Sequence, residues 1–517
     1  MKIKKTLPLV AFATLILSSC ELSFSLPGGS TTSTTTSATS SVVTSIEPGH
    51  GYYLPSSYAI SQAQYNAAAG LFTLGATGTK KLLVIPVLFS DYYCTGSCAG
   101  IEADLYDTFF GDAAATGWES VASYYEKSSY GALTLEGIVT PTYESIMTSG
   151  EFASNVRTTG EYADYYDPTW VLVEDAVDWY KDYSSSSLTE YDTDRDGFID
   201  AVWLVYLNPN SQNKVYATEY EDVFWAYTYW DYDNWSNGNP QNPVPMTYGW
   251  ASFDFMYEGY GSSSLDAHTY IHETGHVLGL DDYYSYTEDD WGPAGGVDMM
   301  DYNIVDHNAY SKFLLGWVNP YVVDGTLDEI TITINPFESS GEFILINDGW
   351  NESPYDEYLA LEFYTPTGLN YLDSQVGGYP GNGLRGFYEP GIKIYHVDSR
   401  LGAYNYDGDF IGYTDTTLLA NSNYPYIAAS NSSEFSQDEN YRLLHLLEAG
   451  GVNTFKNDLA VATNATLFQQ GDSFSPNAFA SFFTSTGGRF NDGSNIGYSI
   501  EVTSMTSTSA TVTITKI

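Results

Sequence analysis

The sequence predicts an α+β protein built in two successive parts. From residue 51 to residue 320 short apolar runs alternate with amphipathic helical stretches, whereas from 321 to 517 period-two alternation takes over and helical signals nearly vanish. The third observation is the segment HETGHVLGLDD at residues 272–282, which reads as a helix ending in a sharp turn and is dense in groups that bind metals. Together they predict a mixed sheet with a site-bearing helix, followed by a β-sandwich-type region.

The first nineteen residues read as a targeting segment. Lys2, Lys4 and Lys5 make a basic start, and the apolar run from Leu7 to Leu17 is too short to span a bilayer as a helix. Leu17-Ser18-Ser19-Cys20 resembles the lipobox of bacterial lipoproteins, which implies cleavage before Cys20 and a lipid on its sulfur. An ordinary signal peptide with an incidental cysteine is the alternative. Residues 20–50 are expected to be a tether, because the tract from Ser30 to Ser45 is nearly all Ser and Thr and cannot build a core. The expectation is an exported body held at the outside of a bacterial membrane through Cys20.

With 65 acidic and 18 basic residues the formal net charge is −47, which repels phosphate backbones and excludes nucleic acid as a sensible partner. The same field attracts divalent cations. Only 16% of residues are charged, an equal share is aromatic, and 47 are tyrosines, so the chain has ample material for a core. Cys94 and Cys98, in DYYCTGSC, are close enough for a small-loop disulfide in an oxidising compartment, or they remain free thiols.

In the first part, Lys81 to Phe89 and Ala201 to Tyr206 read as buried strands. Helices are expected over Glu119 to Lys127 and from Pro168, capped by Asp167, to about Tyr180. Tyr216 to Tyr260 reads as a long irregular stretch rich in Tyr, Trp and Asn. Between these elements, Asp192-Thr193-Asp194-Arg195-Asp196-Gly197-Phe198-Ile199-Asp200 sets oxygens at the first, third, fifth and ninth positions of a calcium loop. Gly197 stands at the sixth, and Phe198 offers its carbonyl at the seventh. Position twelve is Trp203, so the bidentate Glu of an EF-hand is missing and a structural Ca²⁺ loop without the helical frame is expected, the alternative being an acidic turn.

The segment 272–282 places His272 and His276 one helical turn apart on one face, where both imidazoles can grip one ion. Glu273 stands beside them, able to stay off the metal and take a proton from water. Gly279 can end the helix in a left-handed turn that brings Asp282 back as a third ligand, leaving the fourth zinc position open as in catalytic sites. Ser264 is the expected N-cap, with Asp266 in the first turn and an apolar stripe of Ile271, Val277 and Leu278. His268 extends the same face one turn upstream and is expected to support the site or the core.

Strands of the second part are expected at Ile330 to Ile334, Glu342 to Ile346, Ile392 to Val397, Tyr498 to Val502 and Ala510 to Ile514, with one helical signal over Tyr441 to Glu448. No fixed-period repeat is visible.

Downstream of the His-bearing helix lies GVDMMDY, residues 296–302. HExxHxxGxxD followed by a Met-containing turn resembles the metzincin pattern of zinc proteases, and within it the chain is similar to the immune inhibitor A family of secreted bacterial metalloproteases. The features carried are HETGHVLGLDDYY, DMMDYN, DHNAYSKFLLGWV from Asp306, ESVASYYEKSSYG from Glu119, GIKIYHVD, and FQQGDSFSP from Phe468. The resemblance implies a metzincin-like catalytic domain over 51–320, zinc on His272, His276 and Asp282, and Glu273 as general base. It also implies Met300, or its neighbour Met299, as an apolar floor beneath the metal. Tyr302 or His307 would donate to the developing oxyanion. The expected activity is endopeptidase cleavage of extracellular proteins and peptides. The rival expectation is a surface adhesin in which the C-terminal region binds glycan or matrix and the zinc site is vestigial or structural.

Overall fold

A computed structural model describes residues 40–43, 74–94, 97–159, 168–209, 224–231, 234, 236–257, 265–287, 290–377, 386–405, 409–413, 424–483 and 485–517. Cys20, the targeting segment, Asp167 and Ser264 lie outside them. No described helix is long and apolar enough to cross a membrane.

The chain is α+β with several mixed sheets. The first sheet runs in the order Leu133–Val139, Gly78–Leu88, Val202–Tyr206, Thr247–Ser252 and Tyr227–Trp230, with Tyr143–Glu144 also pairing with Gly78–Leu88. All neighbours are parallel except the last pair, in which Tyr227–Trp230 runs against Thr247–Ser252. Alternation along the central strands decides what covers each face. Leu82, Val84, Trp203 and Val205 meet the helices Cys98–Phe110, Val121–Ser128 and His268–Val277, while Leu83, Ile85, Val87 and Leu204 meet the helix Pro168–Ser184. With both faces buried, these strands are apolar at nearly every position.

Two further five-stranded sheets build most of the second part, beside a three-stranded one of Leu401–Tyr404, Phe410–Tyr413 and Tyr424–Ile427. One orders Tyr321–Val323, Phe343–Ile346, Glu357–Tyr364, Gly391–Asp398 and Leu444–Leu446; the other orders Ser40–Val43, Glu329–Ile334, Ala510–Lys516, Tyr498–Met505 and Ser473–Phe474. They pack across a core that includes Ile332, Ile344, Leu361, Ile394, Val512 and Ile514. The core does not stop at residue 320. Phe343, Leu345, Tyr358, Ala360 and Tyr395, on the opposite face of the first of these sheets, belong to the same apolar cluster as Tyr125, Tyr270 and Met300.

Three expectations change. Leu444–Leu446 is a strand inside the segment expected to be helical, because Leu444 and Leu446 face one core while the chain pairs with Gly391–Asp398. Ser40–Val43, within the expected tether, adds in parallel to Glu329–Ile334, where two β-branched valines suit a strand. The stretch Tyr216 to Tyr260 contains the strands Tyr227–Trp230 and Thr247–Ser252, whose aromatic residues obscure alternation in the sequence. Cys94 and Cys98 are joined as a disulfide.

Because one sheet is packed on both faces, truncation of either face should loosen the same cooperative unit. Leu345→Ala and Leu361→Ala should each cost about 2–5 kcal/mol in urea unfolding, with both shifting one shared transition. Separate transitions, each moved by only one substitution, would contradict the shared core.

Candidate metal centre

The helix His268–Val277 starts without a serine cap: Ala267 is the N-cap, and Asp266 Oδ1 accepts the His268 N–H at 2.9 Å. Its C-terminus is closed by two bonds, Leu280 N–H to the Gly275 carbonyl at 3.0 Å and Gly279 N–H to the His276 carbonyl at 2.9 Å. Gly279 takes φ +98°, a conformation that side-chain-bearing residues rarely adopt. The reversed chain returns Asp282 to the helix face. There its Oδ1 lies 3.1 Å from His272 Nε2 and 3.2 Å from His276 Nε2, yet it is buried without a hydrogen-bond partner.

The outer nitrogens are committed elsewhere. His272 Nδ1 lies 2.7 Å from the Met299 carbonyl and His276 Nδ1 lies 2.9 Å from the Leu280 carbonyl. Carbonyls only accept, so each Nδ1 carries a proton and Nε2 is the nitrogen that can bind a metal once it gives up its own proton. The other Asp282 oxygen, Oδ2, accepts the Tyr286 hydroxyl. Burial alone would push the Asp282 carboxyl up, but His276 and His272 hold it well below the ordinary carboxylate range. Burial lowers His276, and the Asp282 charge outweighs it and raises His276 to about 10. His272, His276 and Asp282 thus form a three-donor group that could hold a metal ion, their ligand atoms within 4.8 Å of one another.

Glu273 is 5% exposed and is positioned by the edge strand Tyr227–Trp230, where Thr228 Oγ1 donates to the Glu273 carbonyl at 2.9 Å and lies 3.3 Å from Oε2. Burial raises its pKa above the ordinary value, against the lowering pull of His276 and His272. Met300 is buried beneath the helix: a Cβ added to Gly275 would meet its sulfur at 2.5 Å, so the glycine is what lets Met300 approach. Met299 instead serves through its carbonyl. The turn is fixed by Asp298, which accepts the Met300 N–H at 2.9 Å and the Asn308 amide at 2.8 Å.

The remaining predicted residues have different surroundings. Tyr302 is 43% exposed, with its ring over Gly296. His307 is fully buried among Tyr124, Tyr125 and Trp317, so it cannot meet a substrate. His268 belongs to the core, stacked on Trp118 at 4.3 Å and held 3.0 Å from Asp266 and 3.3 Å from Asp373. Sequence reasoning missed Tyr284, whose ring lies 6.4 Å from that of His272, and Tyr286 on Asp282. Their signal was present, since they follow the third ligand by two and four residues in DDYYSY.

In the acidic loop, Asp192, Asp194 and Asp200 bring carboxylate oxygens within 4.8 Å of one another, and Asp192 Oδ1 is buried without a partner. Gly197, at φ +96°, donates its N–H to Asp192 Oδ2 at 3.1 Å. Asp196 turns Oδ1 onto the Phe198 N–H at 2.8 Å and is not part of the converging set. Phe198 pairs with Val244 in a short parallel ladder. Burial, together with the neighbouring carboxylates, raises Asp196 and Asp200 to about 6.

The chain matches no protein-family model and no curated protein.

The His268 contact carries a definite pH dependence. Burial lowers its pKa, but Asp266 and Asp373 outweigh burial and raise it from 6.5 to about 10. A raised folded-state pKa means that the stabilisation is complete below about pH 6.5 and is lost as pH rises through about 10. The stability gap between wild type and His268→Gln, measured by urea unfolding, should therefore shrink across that window; a constant gap would show that the imidazole is not held charged.

Proposed function

We propose that this protein is a zinc-dependent endopeptidase with a metzincin-like catalytic body, similar to the immune inhibitor A family, held at a cell surface through Cys20 and acting on extracellular proteins. The observation that carries the reading is the convergence of His272 Nε2, His276 Nε2 and Asp282 Oδ1 beside a buried Glu273. The donor set fits zinc: separations of 3.1 and 3.2 Å are close to the edge of a tetrahedron with zinc bonds near 2.0–2.1 Å, roughly 3.3 Å. Bound zinc would supply Lewis acidity, polarising a carbonyl and making water more acidic.

The protein's own groups do the rest. Glu273 accepts a proton at its carboxylate as the water oxygen bonds to the scissile carbonyl carbon, then delivers it to the departing amine nitrogen as the C–N bond breaks. The Thr228 contact keeps that carboxylate in one place and burial raises its proton affinity, which suits a group that must both take and return a proton. His272 and His276 are held in the ligating tautomer by the Met299 and Leu280 carbonyls, and Tyr286 orients Asp282. Met300 fills the space below with an apolar, weakly ligating side chain.

The acidic loop is proposed to hold a structural calcium ion, since its donors are hard carboxylates and Asp192 Oδ1 has no other partner. It lies immediately before the central strand Val202–Tyr206.

Two measurements test these assignments. The chain from residue 21 onward should cleave casein, lose activity to a zinc chelator and regain it with zinc. Glu273→Gln should lower the rate about 10²–10⁴-fold while one zinc per chain remains by metal analysis. Undiminished cleavage by that variant would end the mechanism. Calcium added to metal-stripped protein should raise the Tm by a few degrees, and Asp192→Asn should abolish the rise; equal rises in both would remove calcium from the loop.

A further inference from the structure

A second recess lies apart from the candidate metal centre, where the loop following Asp282 meets the C-terminal part. Its walls include Trp291, Arg442, His445, Asn453, Lys456 and Asn491, and it is narrow. In a chain with 65 acids and 18 bases, no carboxylate among the described residues lines it. Its charged walls are the two cations.

The cations gather around one indole. Arg442 Cζ sits 5.2 Å and Lys456 Nζ 5.9 Å from the centre of the Trp291 ring, and the His445 ring lies 4.8 Å from it, edge-on. Arg442 is anchored from behind: its Nη2 donates to both Asp290 oxygens at 3.2 Å and its Nη1 donates to the Glu439 carbonyl at 2.8 Å. Lys456 pairs with no carboxylate among the described residues.

Two buried polar atoms here have nothing to bond. Arg442 Nε and His445 Nε2 have no partner among the described residues, in side chains only 5% and 2% exposed. Such orphaned groups cost free energy unless something meets them. Arg442 offers its Nε–H only as a donor, and an imidazole with Nε2 protonated offers the same. With Asp290 held on Arg442 Nη2 alone, the unused donors and the exposed Lys456 call for a ligand rich in acceptor oxygens and negative charge.

We propose that this recess binds a small oxyanion, a carboxylate, sulfate or phosphate group, received by Arg442, His445 and Lys456 beside Trp291. The recess is narrow, with room as it stands for about one water-sized group, so the ligand must be small and the exposed Lys456 side chain must shift to admit it. The site is independent of the zinc reading, since none of the metal donors lines it.

The test is isothermal titration of the chain from residue 21 onward with sodium sulfate, phosphate and acetate, ionic strength being held with sodium chloride. Saturable one-site binding of at least one of them is expected. Saturation by sulfate or phosphate identifies a tetrahedral inorganic group, and saturation by acetate alone identifies a carboxylate. Lys456→Gln, at an exposed position that leaves the core intact, should weaken binding about tenfold, and His445→Phe should weaken it while circular dichroism stays unchanged. Absence of saturable binding by all three anions, or affinity unchanged in Lys456→Gln, would overturn the proposal. Glu273→Gln should bind as wild type does, so failure of the peptidase reading and failure of this site are told apart.

Discussion

Asp282 reaches His272 and His276 only because the helix stops where it does. A helix continued past Leu278 would carry Asp282 onward with the rod, away from both imidazoles. Gly279 at φ +98° reverses the chain instead, and the two bonds to the Gly275 and His276 carbonyls hold the reversal. One of those acceptors, Gly275, is also the position whose missing Cβ admits the Met300 sulfur. The turn, the third donor and the floor therefore depend on the same short stretch of backbone. His276 is fixed from that turn too, through the Leu280 carbonyl.

The floor in turn depends on groups far along the chain. Val305 has φ +58° and the segment around it forms no ladder, so its backbone N–H groups need side-chain acceptors. Asp373 Oδ2 accepts from Val305 at 2.8 Å, Asn370 Oδ1 from Asp306 at 3.0 Å and Glu362 Oε2 from Ala309 at 2.8 Å. Asp306 then accepts Lys312 Nζ and Ser128 Oγ, both at 2.6 Å and buried. Acid residues in this region act as internal acceptors, and the large negative charge is in part a consequence of that architecture.

Much of the site was legible because it is local in sequence. Two histidines four apart, a glycine three further and an aspartate three beyond that encode one helix and one turn, and each spacing has a direct geometric meaning. The acidic loop was legible for the same reason, though not the turning of Asp196 toward Phe198, which spacing alone does not determine. Strands with clean alternation were visible, whereas Leu444–Leu446 was hidden by a leucine run compatible with either period. Tyrosines posed the opposite problem. With 47 of them, the contacts made by Tyr286 could be distinguished from those of Tyr302 only once the chain reversal had been placed in space.

The boundary near residue 320 shows how composition can mark a change of style without marking a divisible unit. The sheet containing Phe343–Ile346 and Glu357–Tyr364 presents one face to the sandwich core and the other to the cluster beneath the His-bearing helix. Asp373 contacts His268 at the start of that helix and also binds Val305 below it. Cutting the chain after residue 320 would expose an apolar sheet face and strip acceptors from the segment supporting Met300. Removing a partner from a buried, hydrogen-bonded group costs more than the bond itself contributes in water. The second part is accordingly a structural component of the candidate metal centre, whatever additional ligand it binds.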